Sequence, residues 1–330
     1  MSPKIHAAIA GVGHYAPEKV LTNADLEKMV DTTDEWIRTR TGITERRIAG
    51  PRELASTMGE AAARRALQQA GIAPEAVEAV YVATCTPDMT FPSTAALIQA
   101  ALGAKGAYGF DISSACAGFL MALDTAAAAI ESGRVKTALV IGAEKLSTVV
   151  DWTSRNTCVL FGDGAGAVVL KASDRPGLRS SLLGVDGTLA DFLFIPAGGC
   201  KQPASAETVE KHLHTIHMAG RETFKIAVNT MLEAAKTAIA RAGLTVADID
   251  CMVPHQANFR IVDAVAQRLG EGVIDRVFLN LDRYGNTSAA SIPIALSEAV
   301  AAGRIKSGSK VLMVAFGGGL SWGGAVVEWL

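Results

Sequence analysis

Phe110-Asp111-Ile112-Ser113-Ser114-Ala115-Cys116-Ala117-Gly118-Phe119 reads as a short strand, a turn of small residues, and the opening of an apolar, Ala-rich run of helical length. A strand that feeds a helix through so tight a turn is the unit of a layered α/β fold. The same reading puts Cys116 in the first turn of a helix at the mouth of a sheet. Free backbone N–H groups and the positive end of the helix dipole gather there. A thiol in that position is biased toward thiolate, the nucleophilic form. The plainer alternative is a small buried core residue, and this stretch alone leaves both open.

Outward from it, strands and helices alternate. Ile5 to Val12 is an opening strand, Arg52 to Ala70 is helical and stops at Gly71, and Ala79 to Thr84 is a buried strand. A helix starts near Ser93. Lys136 to Gly142 and Ala167 to Leu170 are further strands, the latter entered through Gly162-Asp163-Gly164-Ala165-Gly166. The second half then repeats the first. Leu67–Val77 answers to Ile239–Ile249, Gly133-Arg134-Val135-Lys136 to Gly303-Arg304-Ile305-Lys306, and Gly166-Ala167-Val168-Val169 to Gly324-Ala325-Val326-Val327. The halves join near Pro176. Counting along the matches sets Cys116 opposite Asn286, and His255 at the same strand end as Ala83. Pseudo-symmetric packing of the halves would bring Cys116, His255 and Asn286 together.

Composition narrows the class. The chain has 330 residues, 49% of them hydrophobic, and a net charge of −2, so it can bury a large core and carries no charge signal for nucleic acid or membrane. The Ala-rich run from Cys116 to Ile130 is too short to span a bilayer and contains Asp124. Met1-Ser2-Pro3-Lys4-Ile5 lacks the marks of a leader. The 5 cysteines are odd in number, and no two are spaced as metal ligands, which reads as free thiols in a reducing cytoplasm. His212, His214 and His217 are a conceivable metal cluster without an acidic or thiol ligand to complete it; a solvated strand or loop is the preferred reading.

A Cys with His and Asn serves a hydrolase, where Asn orients His, or an acyl-transferase, where both donate hydrogen bonds to a developing enolate oxygen. Spacing does not separate the two. Phe316-Gly317-Gly318-Gly319-Leu320 follows an apolar strand, Val311 to Ala315, and an N–H from this loop beside that of Cys116 would make an oxyanion hole.

The motifs taken together resemble the β-ketoacyl-acyl carrier protein synthase III family, the condensing enzymes that start bacterial fatty-acid synthesis. They are Asp34–Ile43, the Cys116 turn, Phe161–Gly166, His255-Gln256-Ala257-Asn258, Gly285-Asn286-Thr287-Ser288 and Phe316–Gly319. The resemblance implies a thiolase-like α/β fold of two duplicated halves in five αβαβα layers, here 1–175 and 176–330, assembled as a homodimer. It implies that Cys116 takes an acyl group from acyl-CoA, with the N–H groups of Cys116 and Gly318 as oxyanion hole. His255 and Asn286 then stabilise the enolate left when malonyl-acyl carrier protein loses CO2. No metal or redox cofactor is implied. Trp36, Arg40 and Arg155 match positions of the CoA tunnel, and Asn258 a position near the pantetheine. Met218 and Phe316 match the acyl pocket, and Phe91 a residue that closes the partner's acyl pocket across the dimer. Lys225 and Arg260 match basic positions for the carrier protein. The segment from Ala197 to Thr215 is longer than the family pattern, which leaves primer length and branching open. A related condensing enzyme of a polyketide pathway is the main alternative. Elongating synthases use a second His where Asn286 stands, and thiolases need a second Cys where this chain has glycines. The full Cys-His-Asn set argues against a non-catalytic partner subunit.

Overall fold

The computed structural model describes residues 5–330; residues 1–4, most of the stretch read for a leader, lie outside the described residues. The first sheet holds β1 (His6–Tyr15), β2 (Ala79–Ala83), β3 (Tyr108–Ile112), β4 (Thr137–Glu144) and β5 (Gly164–Ser173), in the order β1-β5-β4-β2-β3. The second holds β6 (Leu178–Val185), β7 (Cys251–Pro254), β8 (Lys310–Gly317) and β9 (Ser321–Glu328), in the order β6-β9-β8-β7. Pairing directions match as well. β2 runs parallel to β4 as β7 does to β8, and the strands beyond are antiparallel in both sheets. The place of β3 is taken in the second half by one parallel bridge, Val277 to Met252.

The patterning explains the layers. Every residue of β2, Ala-Val-Tyr-Val-Ala, is buried, as a parallel strand covered on both faces requires. Helices α1 (Asp34–Thr41), α2 (Ala55–Ala70), α3 (Thr94–Leu102) and α4 (Gly118–Glu131) belong to the first half. Helices α5 (Gly220–Arg241), α6 (Phe259–Leu269) and α7 (Ser291–Ala301) belong to the second. α2 and α3 cover the outer face of the first sheet, α5 the outer face of the second with α6 packed on it, and α4 and α7 lie between the sheets. Small side chains let these layers close. A Cβ on Gly11 would lie 2.4 Å from the Ala66 carbonyl oxygen, so α2 rests directly on β1. The inner layer is one apolar cluster drawn from both halves, including Phe119, Leu123, Val140, Ile292 and Met313. Truncating Phe119 or Leu123 to Ala there costs about 2–5 kcal/mol. α3 is held to β3 by Asp111, whose carboxylate accepts the N–H groups of Thr94 (2.7 Å) and Ala95 (2.8 Å) at the positive end of the helix.

The repeat is real, but one correspondence shifts. The turns before α4 and α7 each contain a non-glycine residue with positive φ, Ala115 at 43° and Ser288 at 48°. Aligning them sets Cys116 opposite Ala289, not Asn286. The offset arises because α7 has 11 residues where α4 has 14, so counting back from its end overshoots. The turns cross over: residues 115–117 pack on β8 of the other half, and 288–290 on β4.

Candidate active site

Cys116 sits in a single 3₁₀ turn, Ala115–Ala117, between β3 and α4. Gly317, the last residue of β8, lies directly against it: a Cβ there would stand 2.6 Å from the Cys116 amide nitrogen. Gly318 follows alongside, its Cβ position 3.6 Å from that of Ala115. The Ser321 hydroxyl lies 3.0 Å from the Ser114 carbonyl oxygen and 2.9 Å from that of Gly318, which joins the two loops across the halves. Burial pushes the Cys116 thiol up to about 12; the Glu144 charge adds to this, while the Ser288 hydroxyl and the residue's own backbone N–H oppose it. The expected bias toward thiolate is therefore corrected. The residue precedes α4 by a short turn and is buried, and desolvation outweighs the dipole.

His255 follows β7, its N–H donating to the Val314 carbonyl (2.8 Å). Its Nδ1 is 2.6 Å from the Ser291 hydroxyl at the start of α7, which leaves Nε2 for the cavity. Burial lowers the imidazole to about 3, so it is neutral at neutral pH. Gln256 steadies this strand end: its amide donates to the Pro254 and Phe278 carbonyls and accepts from the Asn280 N–H. Asn286 is bridged to Phe161, its N–H donating to the Leu160 carbonyl (2.8 Å) and its carbonyl accepting from Gly162 (3.0 Å). Gly162 and Gly285 make this approach possible, since a Cβ on either would meet a backbone oxygen, of Tyr284 at 2.2 Å and of Leu160 at 2.6 Å. The Asn286 Oδ1 accepts the Ser288 N–H (2.8 Å), so its NH₂ is the free end.

Cys116, His255, Asn286, Gly318, Asn258, Met218 and Phe316 all line one cavity of about 440 Å³, mostly apolar in its walls. Trp36 is half-buried, with the guanidinium carbons of Arg155 and Arg40 at 5.1 and 5.6 Å from its ring centroid. It packs on the Leu146–Phe161 cluster, members of which wall the cavity. Asn258 caps α6 and donates to the Arg40 carbonyl (3.0 Å), linking this rim to the wall. Arg260 is exposed and lies 5.5 Å over Phe224, a wall residue; Lys225 is exposed beside it. Phe91 stands apart, 82% exposed and away from its own chain's cavity. The three histidines diverge: His214 bonds Thr208, His212 lies 3.4 Å from Asp151, and His217 is exposed on the strand His217–Met218.

Several site residues escape sequence reasoning. Glu144 is fully buried and accepts from Thr86 Oγ1 (2.6 Å), the Cys85 N–H and Sγ (both 3.1 Å) and Thr84 Oγ1 (3.3 Å), all uncharged donors; burial raises its pKa. Cys85 lines the cavity, and burial and Glu144 raise its thiol well above the ordinary range. The available signal was a carboxylate closing the otherwise apolar strand β4.

Residues 110–187 match the sequence profile described as 3-oxoacyl-[acyl-carrier-protein] synthase III, and 239–329 the profile of that synthase's C-terminal part. The chain is 54% identical to a beta-ketoacyl-[acyl-carrier-protein] synthase III from Caldanaerobacter subterraneus subsp. tengcongensis, over 100% of this chain and 99% of that one. It is similar to the crystal structure of the 3-oxoacyl-[acyl-carrier-protein] synthase III of Aquifex aeolicus VF5, at 48% identity over 98% and 100% of the two chains, with a TM-score of 0.91. It also resembles the priming β-ketosynthase of the R1128 polyketide pathway, at 40% identity over 100% and 98%, with a TM-score of 0.91.

Proposed function

The chain belongs to the 3-oxoacyl-[acyl-carrier-protein] synthase III family, and on that footing we propose that it catalyses the initiating condensation of fatty-acid synthesis. An acyl-CoA, acetyl-CoA in the simplest case, acylates Cys116. Malonyl-acyl carrier protein then loses CO2, and its enolate carbon attacks the Cys116 thioester to give a 3-oxoacyl-acyl carrier protein. The observation that carries this reading is the single cavity gathering Cys116, His255, Asn286 and Gly318 from four separate segments.

The N–H groups of Cys116 and Gly318 donate to the thioester oxygen as it gains charge. Ser291 donates to Nδ1 of His255, so Nε2–H and the Asn286 NH₂ are two neutral donors for the enolate oxygen. Trp36 offers a ring to adenine, and Arg40 and Arg155 offer guanidiniums to its phosphates. Met218 and Phe316 bound the acyl group. Lys225 and Arg260 suit an acidic carrier protein at the rim. The scheme calls for no metal or redox cofactor. Among the described residues the outer edge of β3 is unpaired, and it exposes Tyr108 (40%) and Phe110 (43%), which supports a homodimer in which Phe91 reaches the partner's acyl pocket. The halves divide at 175/176, between β5 and β6. Among the described residues no helix is long and apolar enough to cross a membrane, and a cytoplasmic enzyme with free thiols is the reading we adopt.

Incubation with acetyl-CoA and peptide mass analysis tests this: label is expected on Cys116 and lost in Cys116→Ser. Asn286→Ala should keep acylation and slow malonyl-carrier decarboxylation by about 10²-fold, the usual effect of losing one oxyanion donor. No label with any short acyl-CoA would overturn the assignment. The likeness to the R1128 priming ketosynthase favours a second reading, a polyketide starter enzyme. A primer panel read by product mass separates the two.

A further inference from the structure

Resting on the enolate role given to Asn286 above, we propose that Arg46, which does not line the cavity, is the positioning residue for Asn286 in the decarboxylation step. Arg46 lies in the short strand Glu45–Arg47, paired with Val20–Thr22, and is 0% exposed. Its guanidinium reaches two ways. Nη2 donates to the Val159 carbonyl (2.7 Å). Nη1 donates to Asn23 Oδ1 (2.9 Å) and to the Leu21 carbonyl (3.2 Å). Asn23 is buried in turn, and its Nδ2 donates to Asp34 Oδ1 at the start of α1 and to the Ile43 carbonyl just past its end, both at 2.9 Å. Arg46 therefore joins the helix of Trp36 and Arg40 to the segment that receives Asn286.

The stem completes the seat. Arg46 Cβ lies 3.1 Å from where a Cβ on Gly162 would stand, and 3.3 Å from one on Gly285. These are the two glycines that let the Asn286 turn meet Leu160–Gly162. The side chain thus underlies the contact that fixes Asn286, while its head holds Val159, one residue before the carbonyl that accepts the Asn286 N–H. The backbone follows the same course. The Arg47 carbonyl accepts the Asp163 N–H (2.8 Å), and the Thr44 N–H donates to the Asp282 carbonyl (2.9 Å).

An apolar side chain would fill this space at less desolvation cost. Burial lowers the guanidinium only to about 10, so it is charged at neutral pH, and the oxygens that receive it are uncharged. A flat fork tied to oxygens of separate segments fixes direction as well as distance, which a hydrophobe does not. Asn286 needs such a support. Its NH₂ must meet an enolate oxygen at about 2.7–3.1 Å together with Nε2 of His255, yet it stands on a turn rather than within a helix or strand. His255 is held separately, by Ser291 and the Gln256 contacts, so loss of Arg46 should misplace one donor of the two.

A double-mutant cycle on malonyl-carrier protein decarboxylation tests this. Arg46→Met should lower kcat about tenfold when Asn286 is present, but less than about twofold when Asn286 is already Ala, because Arg46 acts through it. Equal losses in both backgrounds would mean a general weakening of the fold and overturn the proposal. Hydrogen exchange read on peptides tests the same support without any substrate. Arg46→Met, and Arg46→Lys, which keeps the charge but not the fork, should speed exchange in the peptides covering Gly162 and Asn286 while β2 and β4 stay protected. Exchange unchanged in those two peptides, or raised throughout the chain, overturns the proposal. So does fast exchange of both amides in the wild type, a result that stands even if neither variant folds. A wild type that leaves malonyl-carrier protein intact would count against the condensing reading alone, and the exchange result would then decide whether Arg46 places Asn286.

Discussion

At the scale of single residues, three side chains of the site were legible because each sits in a punctuated motif. Cys116 and Asn286 lie in small-residue turns ahead of apolar helices, and His255 closes a short apolar strand. Glu144 was not. A carboxylate at a strand end is ordinarily a solvated residue, and only the fold reveals that this one is fully buried against the Cys85 thiol. The His255 environment carries a prediction. Its pKa is lowered from 6.5 to about 3, so unfolding takes up a proton below pH 6.5. Its contribution to stability is complete above that pH and is lost as pH falls toward 3, on the order of 5 kcal/mol in all. Denaturation across pH 7 to 4 should show a shallower acid loss in His255→Gln. By the same sign, decarboxylation of malonyl-carrier protein should show no inflection near pH 6.5; one at that value would mean that His255 works as imidazolium.

At the scale of elements, the strands and helices were legible from burial period and glycine stops: Gly71 ends α2 with φ 64°, as its place after the Ala-rich helix implies. The correspondence at the Cys116 turn was misjudged by three residues, because matched motifs at the far ends of α4 and α7 conceal their unequal lengths. The thiolate bias failed for a related reason. A sequence locates a helix start but not the depth at which that start is buried. The fit of β8 to the Cys116 turn is equally invisible in sequence, where Gly317 is one of three consecutive glycines. Gly317→Ala should cut Cys116 acylation by tenfold or more while circular dichroism keeps the native spectrum, because the new methyl meets backbone and not a movable side chain. An unimpaired acylation rate would mean that the turn yields.

At the scale of the whole molecule, the repeat disclosed two halves, and the sheets bear it out down to strand order. What one chain cannot disclose is what lies against its own edge. Exposure of Phe91, Tyr108 and Phe110 is a large apolar cost for a monomer. Sedimentation at micromolar concentration should give a dimer, and Lys at both 108 and 110 should give monomer with weakened acyl-chain selectivity; a monomeric wild type would remove Phe91 from the acyl pocket.

The crossing of the two turns has a last consequence. Each half rests its reactive corner on the other's middle strand, so neither half finishes its own inner wall. Local fraying cannot bare the sulfur by degrees. Catalytic competence and the global fold should be lost in one step, as a clasped pair of hands either grips or lets go.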